Sequence, residues 1–264
     1  MEKHTNDKTV ISNVLKYVTQ SIWENELLKS TWHGNIFRTR LEDEHLISNT
    51  CYNWLTNWKE CPVNIINDLQ SIHLQTVPTL AFTTYRSEAT RTSKICRLCH
   101  KGEENVKHLL SNCGKFVEAD FMRRHNKALQ CILFPILQSN NFIDSCPPWY
   151  TQMVIKPKYE NENVIILWDI PEYSGIEDEE NDSKIYRPDG KIIFNSERKV
   201  LLLEMSVPWI ENREVKFNEK VEKYQSVIRN LKLEYPGFKV DQATFIIDAL
   251  GGYSKHLKEN IAKL

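Results

Sequence analysis

The sequence predicts a mixed α/β fold, a sheet with helices packed on it, preceded by a helical segment and a compact metal-binding region. Three observations carry this expectation. Residues 186–208 read as strand, turn, strand, with an acidic residue on each strand. From residue 160 onward the order is strand, strand, strand, helix, strand, helix. Between residues 96 and 113, three Cys and one His stand at spacings that suit a single metal ion.

Each element follows from its pattern. Residues 8–30 are helix-compatible, with Val10, Ile11, Val14, Leu15 and Val18 at 3–4 spacing. Residues 40–75 predict two or three short helices, broken at Cys61-Pro62, and Trp32, Trp54 and Trp58 are expected in a small helical core. Residues 125–143 predict a helix with Leu129, Ile132, Leu133, Ile136 and Leu137 in one stripe and Pro135 awkwardly inside it. Cys146-Pro147-Pro148-Trp149-Tyr150 is a break. The expected organisation is therefore a helical region at 1–91, a metal-binding region and following helix at 92–146, and a sheet domain at 147–264.

Val164 to Trp168 is a short apolar strand, and the acidic stretch 172–184 an exposed loop. Residues 212–234 predict one helix, its stripe made by Phe217, Val221, Tyr224, Ile228 and Leu231 and its end set by Pro236-Gly237. Thr244 to Ile247 predicts the last strand, and 253–264 a final helix.

The formal net charge is −1, so a nucleic-acid surface must come from local clusters of Lys and Arg at 85–101, 122–127 and 213–232. Met1 to Asp7 carries no signal-peptide core, and no apolar run is long enough to span a membrane. Seven cysteines without a paired framework suit a reducing, intracellular compartment, where Cys51, Cys61, Cys131 and Cys146 read as packing thiols. There is no Gly-rich phosphate loop and no Gly-x-Ser-x-Gly elbow, which speaks against a metabolic enzyme on another α/β fold.

The hairpin carries the sharpest expectation. A two-residue loop at Ser196-Glu197 sets Asp189 opposite Glu204, with Cβ atoms about 4.5–5.5 Å apart. Like charges that close are destabilising unless a cation sits between them. Two facing carboxylates suit Mg²⁺ or Mn²⁺ and phosphodiester cleavage. Leu201, Leu203, Met205 and Val207 form a core face, while Glu204 emerges on the other face beside Val200 and Leu202.

The cluster Cys96, Cys99, His108, Cys113 reads C-x2-C-x8-H-x4-C and suits a closed, structural, tetrahedral Zn²⁺ site. His100 is a rival ligand, badly placed directly after Cys99. Metal-dependent nucleases often add a lysine, and the position two residues after Glu204 holds Ser206 instead. At roughly 100° per residue, Lys220 falls about 60° from Phe217, at the edge of the apolar stripe, and Lys223 about 120° away. Lys220 is thus expected at the carboxylates, and Lys223 at solvent or a DNA phosphate.

The ordered set of this cluster, Arg124-His125-Asn126, Trp168-Asp169-Ile170-Pro171, Arg187-Pro188-Asp189, Glu204-Met205-Ser206-Val207-Pro208, Lys220-Val221-Glu222-Lys223-Tyr224 and Ala249-Leu250-Gly251 resembles the C-terminal part of the polyproteins of site-specific non-LTR retrotransposons. The resemblance runs from about Trp32 to Leu264. It implies a CCHC zinc knuckle before a restriction-enzyme-like endonuclease of the PD-(D/E)xK fold, which nicks target DNA to prime reverse transcription. It implies that Asp189 and Glu204 hold the divalent metal, and that Lys220 is the displaced catalytic lysine. Arg123, Arg124, His125 and Lys223 are the expected nucleic-acid contacts. DNA is the expected partner and the element's RNA a second candidate, in the nucleus. No Tyr/Phe-x-Asp-Asp polymerase signature occurs, and the acidic stretch 172–184 resembles an expansion. The alternative is a retrotransposon-derived host protein that binds nucleic acid without cleaving it.

Overall fold

The protein is described by a computed structural model covering residues 2–29, 36, 61–87, 93–148, 151, 155–173 and 185–264. The expected core of Trp32, Trp54 and Trp58, together with Cys51 and 174–184 of the acidic stretch, lies outside those residues. Among the described residues no helix is long and apolar enough to cross a membrane.

The helical elements come first. α1 (Glu2–Lys29) is a continuous helix whose Val10, Ile11, Val14 and Leu15 are exposed. α2 (Val63–His73) and α3 (Leu80–Ser87) follow the Cys61-Pro62 break. α4 (Val106–Ser111) is the helix of the Cys/His region. A π-helical turn, Val117–Phe121, leads into α5 (Met122–Ser139). α5 runs through Pro135, which lies on its exposed side, where an unpaired carbonyl one turn back can meet water.

The main sheet has five strands: β1 (Lys158–Glu160), β2 (Val164–Trp168), β5 (Gly190–Phe194), β6 (Lys199–Ser206) and β7 (Lys239–Ile246), adjacent in that order. All neighbours are antiparallel except β6 and β7, which are parallel. Parallel neighbours need a crossover. Here it is α6 (Arg213–Lys223) and α7 (Gln225–Glu234). The expected single helix 212–234 is thus two, divided at Tyr224 (φ −101°, ψ 9°). The acidic stretch also departs from expectation at its ends. Glu172–Tyr173 is β3, and it pairs with β4 (Ile185–Tyr186). Glu172 is buried against Lys191, 2.6 Å away, so it is no exposed loop residue. α8 (Lys255–Ile261) closes the fold.

Both faces of the sheet are covered. One core joins Ile166, Ile192, Leu201, Leu203, Met205 and Phe245 to Leu129, Leu133 and Leu137 of α5. The other joins Val200, Leu202 and Val240 to Tyr224, Val227, Ile228 and Leu231. The helix after the Cys/His region therefore shares its core with the sheet. β6 reads as a near-continuous apolar run because it is buried on both faces. Glu204 interrupts that run.

Candidate functional site

The β5–β6 register decides where the two acids stand. Gly190 pairs with Leu203 and Phe194 with Lys199. One step past Gly190, Asp189 comes opposite Glu204, as the turn predicted. The loop itself is longer than expected, residues 195–198, with Arg198 at φ 51°. The extra length is one residue on each side, so the register is preserved.

Glu204 is 2% exposed. Lys220 Nζ donates to its Oε1, so Lys220 does leave the edge of its stripe for the carboxylates. The other oxygen, Oε2, is buried and meets no donor in good hydrogen-bond geometry, although the Tyr224 hydroxyl is close enough to favour the charged carboxylate. Burial pushes the Glu204 pKa up, the charge of Asp189 pushes the same way, and Lys220 opposes them. The Asp189 carboxylate uses one oxygen twice. Its Oδ2 accepts from Met205 N at 2.6 Å and lies 3.2 Å from His125 Nε2. A buried oxygen without a well-placed donor beside a second carboxylate suits a divalent cation, and Asp189 with Glu204 could hold Mg²⁺ or Mn²⁺.

His125, expected on a nucleic-acid shoulder, is turned instead toward Asp189 from α5. Its Nδ1 is 3.2 Å from Asn126 Oδ1, and its Nε2 also approaches Met205 O at 3.3 Å. The Asp189 hydrogen bond, against the cost of burial, holds the imidazole pKa up at about 9. Tyr224 also stands close to Glu204. Its hydroxyl donates to Arg187 O at 3.0 Å. Burial first, then the charge of Glu204, raises its pKa. Lys223 is not free in solvent: its Nζ donates to Tyr224 Oη at 2.9 Å and lies 4.6 Å from the ring centroid. Arg187 in turn pairs with Asp169 at 3.3 Å.

The arginines of α5 face another way. Arg123, mostly exposed, pairs with Asp120 at 2.7 Å. Arg124 is half-buried. One arm donates to Leu110 O in α4 at 2.7 Å, and the guanidinium lies 5.2 Å from the Phe121 ring centroid. Both border a cavity of about 910 Å³, with Lys127 and an apolar floor that includes Leu110, Phe116 and Val207. The cavity opens beside α5, not on the carboxylates.

The Cys/His region forms a second centre. The ligand atoms of Cys96, Cys99, His108 and Cys113 all lie within 4.8 Å of one another. Cys96 Sγ and Cys113 Sγ are 4.0 Å apart. Tetrahedral Zn–S bonds of about 2.3 Å place two sulfurs about 3.8 Å apart, so the spacing fits zinc. Asn105 caps α4 by accepting from His108 N at 2.7 Å, which fixes the start of the helix that carries the imidazole. Gly102, at φ +67°, passes so close that a Cβ there would stand 3.3 Å from His108 Nδ1. His100 sits at φ 55° and is outside the cluster. Burial raises the Cys96 thiol pKa, but hydrogen bonds from the backbone of Cys99 and Leu98 outweigh it and leave it lowered.

Glu104 holds this region to α3. It is 2% exposed and accepts from Leu80 N at 3.1 Å and from Arg97 N at 2.8 Å. The Arg97 side chain holds its carboxyl down at about 2. No sequence signal singled out Glu104 or the buried Glu172–Lys191 pair, and Tyr224 read only as a stripe residue and the end of the Lys220–Tyr224 motif. An acid seven residues after Arg97, inside the cysteine cluster, was the available hint for the first.

No protein-family model and no curated protein matches the chain.

Proposed function

We propose that this chain is a divalent-metal-dependent endonuclease that nicks DNA, built on a restriction-enzyme-like PD-(D/E)xK fold with a structural zinc knuckle. The observation that carries the reading is the facing pair Asp189 and Glu204, with Lys220 on one Glu204 oxygen and no well-placed donor on the other. A bound divalent cation would supply a water of lowered pKa and positive charge for the scissile phosphate. Asp189 and Glu204 would hold it through their carboxylate oxygens. Lys220 keeps an ammonium at the rim, where it can orient the attacking water or offset charge that develops on the phosphate. Arg123 and Lys127 on α5 and Lys223 on α6 are the candidate contacts for a phosphate backbone. The knuckle has four protein ligands and no open position, so its zinc folds the chain and takes no part in cleavage. On the resemblance above, the nick would prime reverse transcription of the RNA of a non-LTR element, in the nucleus.

The test is supercoiled plasmid with Mg²⁺. The parent chain converts it to open circles, while Asp189→Ala and Lys220→Ala, zinc-loaded and folded, do not. A parent chain that shifts duplex DNA in a gel yet cuts nothing with Mg²⁺ or Mn²⁺ would replace this reading with the non-cleaving binding protein.

A further inference from the structure

We propose that His125 is a positioning residue, which holds the Asp189 carboxylate in the orientation a divalent cation requires. The inference rests on the nuclease reading and adds a part to its metal site.

Asp189 sits just before β5, and its carboxylate is partly exposed. Repulsion from Glu204 favours turning it away toward water. Two donors prevent this. Met205 N, from β6, and His125 Nε2, from α5, both engage Oδ2, at 2.6 and 3.2 Å. Two donors on one oxygen restrain the carboxylate against turning to solvent and leave Oδ1 outside the clamp. The strand donor belongs to the sheet and comes with the register. The histidine comes from the opposite helical layer and is held by its own anchors. α5 is fixed in the core by Leu129, Leu133 and Leu137 and to the knuckle by the Arg124–Leu110 bond. The side chain of His125 is 21% exposed, too little for a residue whose task is a phosphate in solvent. Groups that orient a ligating carboxylate in this way govern metal affinity even though they never touch the metal.

The experiment measures Mn²⁺ binding to the full zinc-loaded chain by the electron spin resonance of free Mn²⁺, with nicking measured beside it. Asp189→Ala removes the site. His125→Ala weakens Mn²⁺ binding about tenfold. His125→Gln, whose amide N–H reaches Asp189, stays within about threefold of the parent, and the shorter His125→Asn behaves like the alanine variant. Zinc content and circular dichroism report folding, and if the alanine variant does not fold, the Gln and Asn pair decides. An alanine variant that binds Mn²⁺ like the parent, or a Gln variant no better than Asn, overturns the proposal. Equal binding by the parent and Asp189→Ala would overturn the nuclease reading itself, a separate outcome.

Discussion

Gly190→Ala tests whether the Asp189–Glu204 arrangement depends on close packing at the neck of the hairpin. Gly190 pairs with Trp168, and an added Cβ would stand 2.7 and 2.8 Å from two carbons of the Trp168 ring and 3.3 Å from Leu167 O. Carbon atoms sit about 3.5–4.0 Å apart, so the ring must retreat by about 1 Å. It has nowhere to go, because Trp168 is 5% exposed in the core with Ile166, Ile192 and Leu203. Overpacking of this kind costs about 1–3 kcal/mol. Alanine gives back up to about 1 kcal/mol by restricting the unfolded chain, since no positive φ is needed here. Contacts under 3.0 Å place this site in the upper half of that range, about 2–3 kcal/mol, so the net loss is about 1–2 kcal/mol, read by guanidinium chloride unfolding at fixed zinc. The neighbouring carboxylate moves with the strand, and a 1 Å displacement costs about a hundredfold in nicking. Trp168→Phe opens room beside the new methyl, so the double variant shows a favourable coupling of about 1 kcal/mol. A single variant within about 0.5 kcal/mol of the parent, or strictly additive losses, would refute the reasoning.

Three further outcomes follow from the same geometry. Lys220→Met leaves Glu204 buried without its partner and destabilises the cation-free protein by about 3 kcal/mol, whereas Lys220→Met with Glu204→Gln recovers most of that loss in the same unfolding assay; both abolish nicking. Cys113→Ser, or strong chelation of the parent, releases zinc measured by atomic absorption and removes protection of the α4 amides in hydrogen exchange, while the sheet amides of β6 stay protected. Glu104 has a depressed pKa in the folded state, so its contribution is present above about pH 4.5 and lost as pH falls toward about 2. Glu104→Gln accordingly costs on the order of 2 kcal/mol at pH 7, and the gap to the parent narrows as the pH drops below 4.5.

The parts of the fold that the sequence made legible were those with a strict period or fixed spacing. Val164 to Trp168 is β2 to the residue, because a buried strand between turns is bounded on both sides. The hairpin register survived a wrong loop length because the error was symmetric. The four Cys and His residues converge because short spacings leave a chain few ways to arrange them. Lys220 was placed by helix angle alone. What stayed hidden depended on contacts between layers. The break at Tyr224 is invisible in an apolar stripe that continues across it, since Tyr224 and Leu231 are both fully buried. His125 looked like part of a basic surface run until α5 docked on the sheet. Glu172 looked like one acid among many until Lys191 met it from β5.

Arg124 and His125 are adjacent on α5, yet one bonds the knuckle helix at Leu110 and the other bonds Asp189. A single peptide unit therefore lies between the Cys/His cluster and the facing carboxylates. The history of a sample then bears on what its carboxylate pair can bind. On the proposed function, a preparation that met a strong chelator during purification would lose the anchor of Arg124 before any Mg²⁺ is added. Its magnesium titration would report a site already loosened from the far side. Restoring zinc first, and only then titrating the hard cation, is the order in which the two centres can be compared.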